Sequence, residues 1–216
     1  MIRERTLSKI IQIPIGDNEL SGELIIPEDS RELVIFSHGS GSSRFSSRNN
    51  YVAKELHKKN ISTFLFDLLT EQEDQVFSNR FDIELLYERL ARVTKFMFNH
   101  PICSGFKFGY FGASTGAASA IKAAVLLPNI IDSIVLRGGR PDLVIDIAKN
   151  LNVPTLFIVG AKDFEVLVLN KKVFDVLKCD KEIRIIHGAS HLFEEHGALN
   201  IVASIAGDWF SKYLAN

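Results

Sequence analysis

Ser114 sits at the centre of Gly112-Ala113-Ser114-Thr115-Gly116. A serine hydroxyl is a weak nucleophile, and it must be presented to both a base and a substrate carbonyl. The G-x-S-x-G spacing does this at a sharp strand-to-helix turn, where flanking glycines remove side chains that would collide. The pentapeptide alone also fits a plain β-to-α turn with an incidental serine. Its context favours the chemical reading. The apolar run Phe106–Phe111 leads into it, and the small residues Ala117-Ala118-Ser119-Ala120 follow, as a helix packed tightly on a sheet requires.

Acyl transfer also needs donors for the charge that develops on the carbonyl oxygen. The backbone N–H of Thr115, next to the serine, is one candidate. The other belongs in a loop after an early strand. Ser37-His38-Gly39-Ser40-Gly41-Ser42-Ser43 follows the apolar run Leu33–Phe36, and Ser40 is its candidate donor. His38 reads as a residue that holds this loop by hydrogen bonding, with a catalytic base as the alternative. Gly39-Ser40-Gly41 could open a dinucleotide loop, but Arg44 stands where the third glycine belongs, and no G-K-[ST] follows for a P-loop.

A serine nucleophile of this kind takes an acid and then a histidine later in the chain. Pro154–Val159 runs into Gly160-Ala161-Lys162-Asp163, and the next apolar run is followed by Gly188-Ala189-Ser190-His191. Asp163 and His191 thus fall in neighbouring loops. His191 would take the serine proton, and Asp163 would fix its tautomer and stabilise the imidazolium. The rivals are Asp142 and Asp146 for the acid and His187, at a strand end, for the base. His196 reads as a surface residue; His57 and His100, near helix ends, read as solvated. One more phrase, Leu136-Arg137-Gly138-Gly139-Arg140-Pro141-Asp142, follows a strand-like run. Arg137 and Arg140 could form a fork for a carboxylate or phosphate of the substrate, or pair with Asp142 and shape the loop. Both readings stay open. Arg44 and Arg48 read as a solvated face.

These residues need a frame that brings their loops together. Short continuous apolar runs, as expected of strands buried on both faces, recur at 33–36, 61–66, 106–111, 131–136, 154–159 and 183–186. Residues 6–14 and 19–26, split by Gly16-Asp17-Asn18, read as an opening hairpin. Ile83, Leu86, Tyr87, Leu90, Val93 and Met97 follow helical spacing, and the stretch containing Val202, Ile205, Ala206, Trp209 and Tyr213 predicts a terminal helix. Strands alternating with helices imply an α/β fold: a mainly parallel sheet with helices on both faces. Ligands bind such sheets at the carboxyl ends of the strands, where all the loops above belong.

The 216 residues fit a single domain, 1–216, and 46% hydrophobic with 24% charged residues suits a globular core. A net charge of -1 gives no reason to expect nucleic acid or an anionic membrane as a partner. The two cysteines, Cys103 and Cys179, form no C-x-x-C or Cys/His cluster, so no metal site is expected and both read as free thiols. The charged N-terminus lacks a signal peptide's apolar stretch, and no apolar run approaches the roughly 20 residues of a membrane span. The expected setting is cytoplasmic.

Together His38-Gly39, Gly112-x-Ser114-x-Gly116, Gly160-x-x-Asp163 and Gly188-x-Ser190-His191 resemble the α/β-hydrolase superfamily, over a stretch from about residue 20 onward. The small size, without a cap-sized insertion, resembles its dienelactone-hydrolase-like members. Dienelactone hydrolases proper carry a cysteine where this sequence has Ser114. The Leu136–Asp142 phrase resembles one in uncharacterised hydrolases of this group, some fused to phosphoribosyltransferase domains. The resemblance implies a hydrolase that cleaves a carboxylic ester, thioester or lactone through an acyl-enzyme on Ser114, without a cofactor. Its partner is a small-molecule substrate, anionic if the arginines face it. The alternatives are acyl transfer to an acceptor other than water, a non-catalytic scaffold that binds a small molecule or protein, and a dinucleotide-dependent oxidoreductase.

Overall fold

The computed structural model describes residues 6–215; residues 1–5, which include the charged start read above, and residue 216 lie outside the described residues. Strand β1 (Leu7–Ile15) turns at Gly16, φ +59°, into the antiparallel β2 (Asn18–Ile26). There follow β3 (Glu32–Ser37), α1 (Ser47–His57), β4 (Ser62–Phe66), the single turn α2 (Glu71–Asp74), α3 (Ile83–Phe98), β5 (Lys107–Ala113) and α4 (Thr115–Leu126). The chain continues with β6 (Ile131–Arg137), the short α5 (Ile145–Ala148), β7 (Thr155–Gly160), α6 (Phe164–Val176), β8 (Lys181–Ile186) and α7 (Ala198–Leu214). The strands form an eight-stranded sheet in the order β1-β2-β4-β3-β5-β6-β7-β8. This is the α/β-hydrolase arrangement.

Alternation along the strands explains why their sequences are apolar without a break. In β3, Leu33 and Ile35 enter one core, and Val34 and Phe36 enter the other. In β5, Phe108 and Tyr110 face the first core and Phe111 the second. The first core also holds Leu86, Leu90, Val93 and Met97 of α3 and the alanines of α4; the second holds α1 and α7. A strand between two helix layers has no solvent face, so period-2 polarity disappears. The α3 stripe emerges at helical spacing because only one side of that helix is buried. Asp82 caps it, accepting the Leu85 N–H at 3.1 Å.

β3 to β8 pair in parallel, so their carboxyl ends share one edge. β2 runs antiparallel to β4, which brings the hairpin turn to that edge as well; Asp67 N–H donates to the Ser21 carbonyl at 3.3 Å. Among the described residues no helix is long and apolar enough to cross a membrane. Cys103 and Cys179 are both free.

Candidate active site

Ser114 lies between β5 and α4 with φ +52° and ψ −123°. A side chain with a Cβ rarely adopts such a backbone, and it persists only where neighbours hold it. Here they do. Ser114 N–H donates to the Arg137 carbonyl at 3.3 Å, and the Ser114 carbonyl accepts from Arg140 N–H at 2.9 Å and Ala117 N–H at 3.1 Å. The glycines make room for the turn. A Cβ on Gly116 would come within 2.1 Å of the Ser37 carbonyl oxygen, and one on Gly39 within 2.9 Å of Ser114 Cβ. The loop after β3 therefore rests directly against the serine.

The next loops are laced to the turn and to each other. Gly138 N–H donates to the Ile158 carbonyl at 2.8 Å, and Lys162 N–H to the Ala189 carbonyl at 2.9 Å. Buried Asn170 of α6, which no sequence signal singled out, holds the Gly139 carbonyl at 2.8 Å. Against this frame His191 Nδ1 lies 2.6 Å from Asp163 Oδ2. The Asp163 side chain is 14% exposed and that of His191 39%, so the pair reaches solvent through the imidazole. A Cβ on Gly138 would sit 3.5 Å from the His191 ring, which places that ring against the segment bonded to Ser114. Ser114 Oγ makes no hydrogen bond to the imidazole among the described residues. The loop that carries His191 is strapped by Glu195, which accepts the Ser190 N–H at 2.9 Å.

The loop after β3 is braced from the other side. His38 Nε2 accepts the Leu68 N–H at 3.0 Å, so Nδ1 carries the proton and donates to the Gly39 carbonyl at 3.0 Å. Burial lowers the pKa of His38, which agrees with a neutral ring. With its carbonyl turned to His38, the Gly39–Ser40 peptide points its N–H the other way, and Ser40 N–H donates to Thr115 Oγ1 at 2.8 Å. Thr115 is buried. As the first helical residue of α4 it has no carbonyl four residues back for its own N–H.

Other expectations are corrected by packing. Arg137 and Arg140 have different surroundings, and for Arg140 the pairing with Asp142 is the one seen. Arg140 is bonded at both ends to Asp142, Nε to Oδ1 and Nη2 to Oδ2, each at 2.9 Å, and this hydrogen bonding raises its pKa. Arg137 is 7% exposed and lies over the face of Phe193 at 5.7 Å. Arg44 pairs with Asp67, and Arg48 Nη1 reaches Glu194 at 3.1 Å, so neither stands free in solvent. His57 is half-buried against Thr63 at 2.8 Å, and His100 accepts the Ile102 N–H at 3.3 Å. His187 is exposed just beyond the end of β8. The segment after β4 borders a cavity of about 580 Å³, together with the β1–β2 turn and Ser42 to Phe45. Exposed Phe45 and polar Ser42, Ser43, Thr70 and Gln72 are among its lining.

No protein-family profile matches the chain. A crystal structure of dienelactone hydrolase from Anabaena variabilis is 42% identical, with a TM-score of 0.94 over 97% of this chain and 99% of that one. The chain belongs to the dienelactone-hydrolase family. An esterase from Pyrococcus furiosus, at 19% identity and a TM-score of 0.75 over 97% of this chain and 94% of its own, shares the fold. A Mycobacterium tuberculosis protein described provisionally as a phosphoribosyl transferase is 45% identical over 204 residues, 94% of this chain and 46% of that protein. This dienelactone-hydrolase family member thus spans about half the length of the curated relatives it matches. The description of those relatives names an activity of a protein twice as long.

Proposed function

We propose that the protein is a serine hydrolase that cleaves an ester-type bond of a small-molecule substrate, a carboxylic ester, thioester or lactone, through an acyl-enzyme on Ser114. The observation that carries this reading is the hydrogen-bonded His191–Asp163 pair on the edge where Ser114 is held at positive φ. His191 Nδ1 is turned to the carboxylate, so Nε2 is left to take the serine proton. Attack on the carbonyl carbon makes a tetrahedral oxyanion. Thr115 serves it with its backbone N–H and with its hydroxyl, whose acceptor side is taken by Ser40 N–H and whose proton is free to donate. His191 then passes its proton to the leaving alcohol or thiol. Water, deprotonated by the same ring, releases the acid and restores Ser114.

Dienelactone-hydrolase and esterase relatives support hydrolysis over transfer to another acceptor. The test is pre-steady-state hydrolysis of p-nitrophenyl acetate. A burst of p-nitrophenol matching the enzyme concentration is expected, followed by slower turnover. Ser114→Ala should show neither phase. A wild-type enzyme without turnover on a broad ester panel, yet able to bind small ligands tightly, would favour the scaffold reading instead.

A further inference from the structure

Arg137 poses an electrostatic problem. Its side chain is nine-tenths buried, its Nε has no hydrogen-bond partner, and among the described residues no carboxylate pairs with it. Its packing partner is the ring of Phe193, which offers the weak attraction of a π face and no counter-charge. Burial pulls its pKa to about 10, and the nearby charge of Arg48 pulls the same way, so the group is still cationic at neutral pH. A buried cation without a counter-ion is costly to keep.

Strand alternation fixes where this cation points. Val135 of β6 enters the core shared with α1 and α7. Arg137, two residues on, faces the same side at the end of the strand. Arg48 is the second residue of α1. Its Nη1 goes to Glu194, an acid whose side chain is 65% exposed, and its Nε is also buried without a partner. The first turn of α1 contains no acidic residue. Ser46 caps the Asn49 N–H, which leaves those of Ser47 and Arg48 without an acceptor in the helix. Arg137 packs on Phe193 and Arg48 pairs with the next residue, Glu194, so the two guanidinium groups are neighbours and the carboxylate beside them is a largely exposed one on Arg48. The surplus of positive charge suits a dianion better than a single carboxylate.

We propose that Arg137, Arg48 and the first turn of α1 form a subsite for a phosphate monoester carried by the substrate. The proposal rests on Ser114 as the nucleophile: the Arg137 carbonyl accepts the Ser114 N–H, so the backbone of the residue that carries the buried cation is bonded to the backbone of the serine. Arg140 has no part in it, because Asp142 already neutralises that side chain.

Inorganic phosphate is the probe, titrated into the intact protein by isothermal calorimetry at pH 8, where the second proton is off. Saturable one-to-one binding is expected. Acetate at equal ionic strength should bind at least about tenfold more weakly. Arg137→Met should weaken phosphate binding by at least about tenfold, and Arg48→Met by less. Phosphate should also inhibit p-nitrophenyl acetate hydrolysis competitively. The proposal is overturned if the wild type shows no binding up to about 10 mM phosphate, if acetate binds as tightly, or if Arg48→Met and a folded Arg137→Met both bind like the wild type. Should Arg137→Met fail to fold, Arg48→Met and the acetate comparison decide. Calorimetry needs no turnover, so an empty subsite and an inert Ser114 give separable results.

Discussion

Ser114 keeps a backbone conformation that costs about 1–3 kcal/mol for a residue with a Cβ, and its neighbours repay it through Arg137 and Arg140. The same neighbours set what the serine can do. Thr115 is the residue whose contacts add most to the sequence reading. The sequence suggests only its backbone N–H, because a motif says nothing about where a hydroxyl points. In the structure that hydroxyl takes the N–H of Ser40, the residue expected to serve the oxyanion directly. Thr115→Val removes the hydroxyl at nearly constant shape and frees Ser40 N–H. Steady-state kinetics should show kcat lowered by about 10² to 10³ with KM little changed, and Thr115→Ser should recover most of it. A valine variant with undiminished kcat would mean that the backbone N–H groups of residues 40 and 115 serve the oxyanion without the hydroxyl. Asp163→Asn should leave the fold intact and lower kcat by about 10⁴, because the amide favours the wrong imidazole tautomer.

At the scale of elements, close backbone approach decides where the loops lie. Gly116 lets α4 start against the end of β3, and a methyl group there would strike the Ser37 and His38 carbonyl oxygens. Gly116→Ala should destabilise the protein by about 3 kcal/mol or more, measured by urea unfolding, and lower activity through the displaced loop. A loss under about 0.5 kcal/mol would show that the turn relaxes freely. His38 ties the loop after β3 to Leu68 as a neutral ring, with burial holding its pKa below the ordinary 6.5. The unfolded chain therefore takes up the proton first as pH falls. The contribution of His38 is complete above pH 6.5 and drains away below it as the folded value is approached. His57, also lowered by burial, acts in the same sense. His38→Gln should flatten the fall of the thermal midpoint between pH 7 and 5 relative to wild type; parallel curves would contradict the assignment. These elements were legible from apolar runs and glycines. The bracing was not, since Leu68, Asn170 and Glu195 act through backbone bonds that leave no pattern in their own sequence.

At the scale of the whole molecule, one edge of the sheet gathers Ser114, the His191–Asp163 pair and the loop after β3. Parallel pairing from β3 to β8 fixes that edge, and the antiparallel hairpin brings its own turn to it, beside the 580 Å³ cavity. This much follows from the order of strand and helix signals in the chain. What the order cannot give is which charges pair. Arg137 and Arg140 look alike in sequence, three residues apart, yet one is bonded to Asp142 and the other is buried facing Phe193. Strand alternation separates them: Arg137 ends β6 and must point into a layer, whereas Arg140 lies in the loop beyond. The reactivity of Ser114 is tested most directly by intact-mass spectrometry after fluorophosphonate treatment. The wild type should gain a single adduct that peptide mapping places on Ser114, and Ser114→Ala should gain none. An unmodified wild type, or an adduct that persists in Ser114→Ala, would contradict it.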